Sequence, residues 1–270
     1  MYIKEPFEEL DVMNDFLNNS LATNPNFGKD YCRLMIKNLI GYEPKRINVV
    51  AQKIIGPTDP EKRGIRLDIE VKEYDNDPET IVNIYDVEPH RQDDIDSHPR
   101  KARFYQAKID APLIKSGEKH FKGMPNLFII SITNYDPFEE DYMLYTIKNT
   151  CVELPEMCYD DGVVKYFFNT SGTKGGNKEL QDFLIYLENS VEENIMNDEI
   201  RKLSKFVQNV KSNKIEREGY MTWGDKIDGI VAEAVAKKDA EIKEKDAEIK
   251  EKDAEIARLK KQLEEKNAIK

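Results

Sequence analysis

The chain has 270 residues, 39% of them hydrophobic and 34% charged, with a formal net charge of -11. That is enough apolar material for a core, and enough charge that part of the chain must be a solvated element. The opening "MYIKEPFEELDVMNDF" has no basic stretch followed by an apolar run, and the longest aliphatic run, "LFIISI", is too short to span a bilayer, so a soluble, cytoplasmic protein is expected.

In chain order, residues 7 to 40 carry helical periodicity, at Phe7, Leu10, Phe16, Leu17 and Leu21, then at Tyr31, Leu34, Met35, Asn38 and Leu39. "NPNFG" interrupts the run at Asn24, and Gly41 ends it. The β-branched "RINVVAQKII" predicts a strand, followed by the turn-prone "GPTDPEKRG". "IRLDIEVKE" alternates, so Ile65, Leu67, Ile69 and Val71 are expected on one face and Arg66, Asp68, Glu70 and Lys72 on the other. "YDNDPET" is a turn cluster, and "IVNIYDVE" is the return strand of a hairpin, apolar on both faces until Asp86.

A helix is expected from Pro99, with Ala102, Tyr105, Ile109 and Leu113 on its apolar stripe and Gly117 at its end. "NLFIISIT" predicts a short buried strand, and "DYMLYTI" and "GVVKYFF" a further pair. From Lys178 helical spacing returns, at Leu180, Phe183, Leu184 and Leu187, then Ile200, Leu203, Phe206, Val207 and Val210. This order of helix, three strands, helix and strand predicts a mixed α/β domain over 1–175, followed by a helical region over 176–225.

The remainder, 226–270, holds a repeat. "KDAEIKE" occurs at 238–244 and 245–251, and "KDAEIAR" at 252–258. Val235, Ile242, Ile249, Ile256 and Leu263 recur every seven residues, as in a coiled coil. The companion seam positions hold Lys245, Lys252 and Leu259, so half the usual seam is polar. Acid-to-lysine pairs four apart, such as Glu241–Lys245, support the helix by itself. Self-association through this helix and a solitary charged helix both fit.

Cys32, Cys151 and Cys158 make no disulfide framework, and with His90, His98 and His120 they offer no zinc spacing; reduced, mostly buried thiols are expected. Residues 237 to 270 carry eleven basic and ten acidic side chains, so the rest of the chain carries -12. Nucleic-acid contact therefore requires a local basic patch.

"YDVEPHRQ" sets Asp86, Glu88 and His90 at alternate positions of the return strand. In an antiparallel hairpin the polar face of the first strand brings Asp68 beside Glu88. Two adjacent carboxylates suit a hard cation such as Mg²⁺ or Mn²⁺, which takes oxygen ligands. They equally suit a solvated strand edge, and Asp86, Glu70 and Glu73 read the same way, Asp86 as a supporting or solvated residue. Arg100, Lys101 and Arg103 follow closely, with Phe104 and Tyr105 among them; they can meet phosphate or pair with Asp93, Asp94 and Asp96.

The blocks "GIRLDIEV", "YDVEPHRQ" and "PRKARFYQAKIDAPLIKSGEKHFKGMPNLFIISITNYDPF" together resemble the PD-(D/E)XK nuclease superfamily. More narrowly, the chain resembles the bacterial recombination-promoting nucleases, also described as putative transposases, from about Phe16 to Trp223. The segment ending "REGYMTW" and the charged tail are part of the likeness. The resemblance implies a restriction-endonuclease-like core and a Mg²⁺- or Mn²⁺-dependent DNA endonuclease, linked to recombination or transposition. It carries the first acidic position onto Asp68, after Gly64, and the "E-x-K" or "E-x-Q" element onto Glu88, Pro89 and His90. Asp68, Glu88 and the Pro89 carbonyl would hold the metal; Asp68, Glu88 and His90 would form the catalytic set; Arg100, Lys101 and Arg103 would bind DNA. His90 departs from the lysine or glutamine of the pattern. A histidine is mostly neutral near pH 7, so it can orient water, act as a base or ligate a metal, but does not supply a lysine's charge. Gln92 stands two residues on. The departure leaves a second implication: a nuclease-fold module that binds DNA or a protein without cleaving. Asp30 and Glu43, on or after the early helices, carry no specific signal as further ligands.

Overall fold

Asn14 caps the first helix with its side-chain oxygen, accepting from the amides of Phe16 and Leu17, and α1 runs over Asp15–Thr23. The computed structural model describes residues 5–55, 65–90, 98–114 and 121–267. Among the described residues upstream of α1, Phe7–Glu9 forms a 3₁₀ turn, so the helical periodicity read from residue 7 is realised as an α-helix from Asp15. Helix α2 spans Gly28–Ile40 and stops at Gly41, whose φ of 75° suits a residue without a Cβ.

Six strands form one sheet: β1 (Ile47–Ile55), β2 (Ile65–Tyr74), β3 (Ile81–His90), β4 (Asn126–Thr133), β5 (Leu144–Ile147) and β6 (Val163–Asn169). Their spatial order is β1-β2-β3-β4-β6-β5. The first three strands are antiparallel, β4 lies parallel to both β3 and β6, and β5 closes the far edge antiparallel to β6. Helix α3 (His98–Asp110) makes the crossover between β3 and β4. The chain is therefore α/β, with a mixed sheet, and the order helix, three strands, helix, strand is present.

The two faces of the sheet are covered differently. Tyr31, Cys32 and Met35 of α2 meet Ile69, Val71 and Val87 on one face. On the other, Ala102 and Ile109 of α3 join Ile65, Leu67, Ile84, Leu127, Ile129 and Phe167 in a single core. Ile65 and Leu67 thus lie opposite Ile69 and Val71, and the expected uniform alternation of β2 changes phase at Asp68. The cause is local. The β1–β2 ladder keeps its register but skips the pair Gln52/Asp68, where Gln52 adopts a left-handed φ of 53°. The return strand also differs from expectation beyond Asp86: Asp86, Val87, Glu88 and Pro89 are all buried, not a polar end.

Helices α4 (Lys178–Glu188) and α5 (Asp198–Lys211) pack on α2, with α5 also touching α1. Leu180, Phe183, Leu184 and Leu187 of α4, and Ile200, Leu203, Val207 and Val210 of α5, are buried as their spacing predicts. Glu5–Glu216 is one compact unit, so both helices belong with the sheet. The second unit carries Arg217–Lys270, and helix α6 runs over Lys214–Asn267. Among the cysteines only Cys32 is buried; Cys151 is half-buried and Cys158 exposed, and none is bonded to another. No helix among the described residues is long and apolar enough to cross a membrane.

Candidate metal centre

The hairpin of β2 and β3 sets the site. Glu70 pairs with Asp86 and Ile69 with Val87, so the next residues outward are Asp68 and Glu88. There the ladder gives way, and the Asp68 amide donates to Glu88 Oε1 at 2.8 Å. The phase change at Asp68 turns its N–H toward the carboxylate and leaves the residue half-buried. Pro89 is tolerated in an interior strand because the described β2–β3 ladder ends at Val87, while Pro89 itself pairs with Ile132 of β4.

Asp68, Glu88 and His90 each offer a ligand atom within 4.8 Å of the others. His90 Nε2 lies 3.9 Å from Glu88 Oε2. On its other side, His90 Nδ1 stands 3.5 Å from the Lys101 ammonium of α3. The His90 ring packs edge-on against His98, centroids 5.1 Å apart, and His98 Nδ1 is 3.1 Å from the Tyr135 hydroxyl. His98 is itself buried, and its ring also meets Phe167 at 5.5 Å.

Four acidic side chains crowd the same part of the sheet. Glu70 is neutralised: Lys53 Nζ reaches its two oxygens at 2.8 and 2.6 Å, and Lys72 Nζ stands at 3.4 Å. Asp86 is different. It is 0% exposed, and neither oxygen has a hydrogen-bonding donor. Burial, with the neighbouring charges of Asp68 and Glu70, pushes its carboxyl up to about 8 despite its contact with Glu88 and the opposing charge of Lys101. Glu88 is also pushed well above the usual carboxylate range, by burial first and then by Asp86 and Asp68; the Asp68 amide and Lys101 oppose the shift. Without a cation this pair favours its protonated forms.

Glu73, on the same strand, shows how this fold satisfies a buried carboxylate it uses only structurally. The Tyr42 hydroxyl and the Lys45 amide donate to Oε1, and Asn83 Nδ2 and the Tyr85 hydroxyl to Oε2, all within 3.0 Å. Burial pulls its pKa upward, but those four donors hold it below the usual value.

The three basic residues read as one patch separate. Arg100 and Arg103 are exposed on α3, whereas Lys101 is half-buried and turned toward His90. Asp30 pairs with Arg33 at 2.8 Å and Glu43 lies 3.8 Å from Lys37, both engaged elsewhere. Gly64, Arg91, Gln92, Asp93, Asp94, Asp96, Gly117, His120 and the "GPTDPEKRG" turn lie outside the described residues. Sequence reasoning placed Asp86 as a supporting or solvated residue; it is wholly buried against Glu88. It also gave no role to His98, which packs against the His90 ring, or to Tyr135, whose hydroxyl meets His98. Their signal was faint: one histidine at a helix start and one tyrosine just past a strand. Searches of protein families, of curated proteins and of solved structures found no match to this chain.

Proposed function

We propose that the protein is a metal-dependent DNA endonuclease of restriction-endonuclease-like fold, taking Mg²⁺ or Mn²⁺ between Asp68 and Glu88. The observation that carries this reading is the convergence of Asp68, Glu88 and His90 beside a fully buried Asp86 that has no donor. Elsewhere the fold gives its buried carboxylates cations or donors, as at Glu70 and Glu73. Converging carboxylate oxygens suit a hard divalent cation.

A bound cation would supply Lewis-acid stabilisation of phosphoryl oxygen and a more acidic water. Asp68 and Glu88 would hold it, with the Pro89 carbonyl as the backbone ligand the resemblance implies. The 2.8 Å bond from the Asp68 amide holds Glu88 Oε1 in place and so presets the spacing of the two carboxylates. Exposed Arg100 and Arg103 lie on the helix that follows, where they can meet the DNA backbone outside the reacting centre. A link to recombination or transposition rests on the resemblance alone.

The test is nicking of plasmid DNA by the purified full chain with Mg²⁺ or Mn²⁺. Asp68→Ala and Glu88→Ala are each expected to lower the rate by at least about 10²-fold, in keeping with loss of an electrostatic stabiliser. Unchanged nicking in both variants would remove the assignment. The second reading is a nuclease-fold module that holds DNA or a protein partner without cutting. It is favoured by His90 standing where the pattern carries lysine or glutamine, and by the acidic body. It predicts DNA retention that falls steeply with salt and no metal-dependent cleavage.

A further inference from the structure

Phosphodiester hydrolysis builds negative charge on the phosphoryl oxygens, and a positive group held nearby lowers that barrier. His90 does not supply a lysine's charge, but its neighbour Lys101 carries one. Along α3 the core-facing stripe runs His98, Ala102, Tyr105 and Ile109, with His98, Ala102 and Ile109 buried. Lys101 lies one helical turn after His98, at the border of that stripe. Its stem passes Tyr105, with Nζ 5.7 Å from the ring centroid, and its ammonium reaches His90 Nδ1 at 3.5 Å. Arg100 and Arg103, its basic neighbours, stay exposed.

An ammonium only donates, so the imidazole nitrogen facing it must accept. The ring proton of neutral His90 then resides on Nε2, which faces Glu88 Oε2 at 3.9 Å. His98, whose Nδ1 meets the Tyr135 hydroxyl, packs edge-on against the ring. In this arrangement the His90 lone pair is directed at Lys101, away from the carboxylates.

We propose that Lys101, not His90, is the cationic residue of the site among the described residues, and that its ammonium sets His90 in the Nε2–H form as a positioning residue whose N–H faces Glu88. This rests on the nuclease reading for its catalytic part. Its structural part, the hold of Lys101 on His90, does not. The charge of Lys101 also bears on both Asp86 and Glu88, opposing their upward shift, which places it electrostatically among the carboxylates.

The experiment compares wild type with Lys101→Met and Lys101→Arg in three measurements on the full chain. These are plasmid nicking with Mn²⁺, affinity for a DNA duplex in Ca²⁺, and the His90 tautomer of the metal-free protein from long-range ¹H–¹⁵N NMR. The expected result for Lys101→Met is nicking reduced about 10²-fold, DNA affinity changed by less than about 3-fold because Arg100 and Arg103 remain, and loss of the Nε2–H preference. Lys101→Arg should recover part of the nicking. Wild-type nicking retained by Lys101→Met overturns the catalytic role, as does a variant that loses DNA affinity while its saturated rate is unchanged. A His90 proton on Nδ1 in the wild type overturns the structural part. A wild type that nicks nothing, yet shows the Nε2–H form and loses it in Lys101→Met, fails the nuclease reading and leaves the hold of Lys101 on His90 standing.

Discussion

Glu73 and Asp86 are carboxylates of almost identical burial, 3% and 0% exposed, with opposite surroundings. Four donors surround Glu73, whereas no amide, ammonium or hydroxyl group donates to Asp86, whose neighbour is the Glu88 carboxyl. An unsatisfied buried polar group costs about 1–3 kcal/mol, more when charged, and such a cost persists where function retains it. It also has a pH signature. The Asp86 carboxyl titrates near 8 in the folded chain, above the unfolded value of about 4. The folded state therefore binds the extra proton, and the associated stability is full below about pH 4 and lost as pH rises through about 8. Glu88, shifted the same way, adds to this slope. Urea unfolding of the metal-free protein should show a midpoint that falls between pH 5 and pH 8. Asp86→Asn, which cannot ionise, should flatten that fall by about 1–3 kcal/mol. An identical pH slope in the variant would show that Asp86 is not the titrating group. Mg²⁺ added at pH 8 should restore stability to the wild type by mass action.

At the scale of elements, the break between β1 and β2 organises the site. Left-handed Gln52 opposite Asp68 changes the phase of both strands, so Lys53 carries its ammonium onto Glu70 rather than to the far face. Asp68, Asp86 and Glu88 are the carboxylates that gather beyond that pairing. Lys53→Met would leave a 1% exposed carboxylate with Lys72 alone, at 3.4 Å. Removing one partner of a buried ion pair is strongly destabilising, and with Lys72 remaining a loss of about 2–3 kcal/mol is expected in urea unfolding. The double variant Lys53→Met/Glu70→Gln should recover most of that loss, because the buried charge is gone. Failure of the second change to rescue the first would mean that Lys53 acts through packing instead.

At the scale of the molecule, the sheet with α1 to α5 forms one unit and Arg217–Lys270 the other. On α6 the heptad residues Val235, Ile242, Ile249 and Ile256 are each about half exposed, as is Leu259. Lys238 pairs along the same helix with Glu241 at 3.2 Å. An exposed aliphatic stripe at seven-residue spacing supports self-association, while lysines at the companion positions weaken it. Deleting 237 to 270 is expected to lower the number of protomers per particle, taken as the light-scattering mass divided by the chain mass at a fixed protein concentration. An unchanged number of protomers would leave the tail a solitary charged helix.

Much of the fold was legible in the sequence because local periodicity reports local burial. The stripes of α2, α4 and α5, the turn at Gly41 and the apolar run of β4 each follow from spacing of 3.6 or from a short buried strand. The pairing of Asp68 with Glu88 was also within reach, since a hairpin constrains which residues stand opposite. What alternation does not contain is a change of phase, and Gln52 carries no mark of one. Nor does a run of basic residues on a helix say which of them turns inward. Arg100, Lys101 and Arg103 are alike as letters; the packing of α3 on the sheet leaves two exposed and brings the third to His90. The sequence by itself determined which carboxylates could meet. Only the tertiary structure decided which of them are closely paired with a cation, because that depends on cations and donors brought in from other strands and from α3.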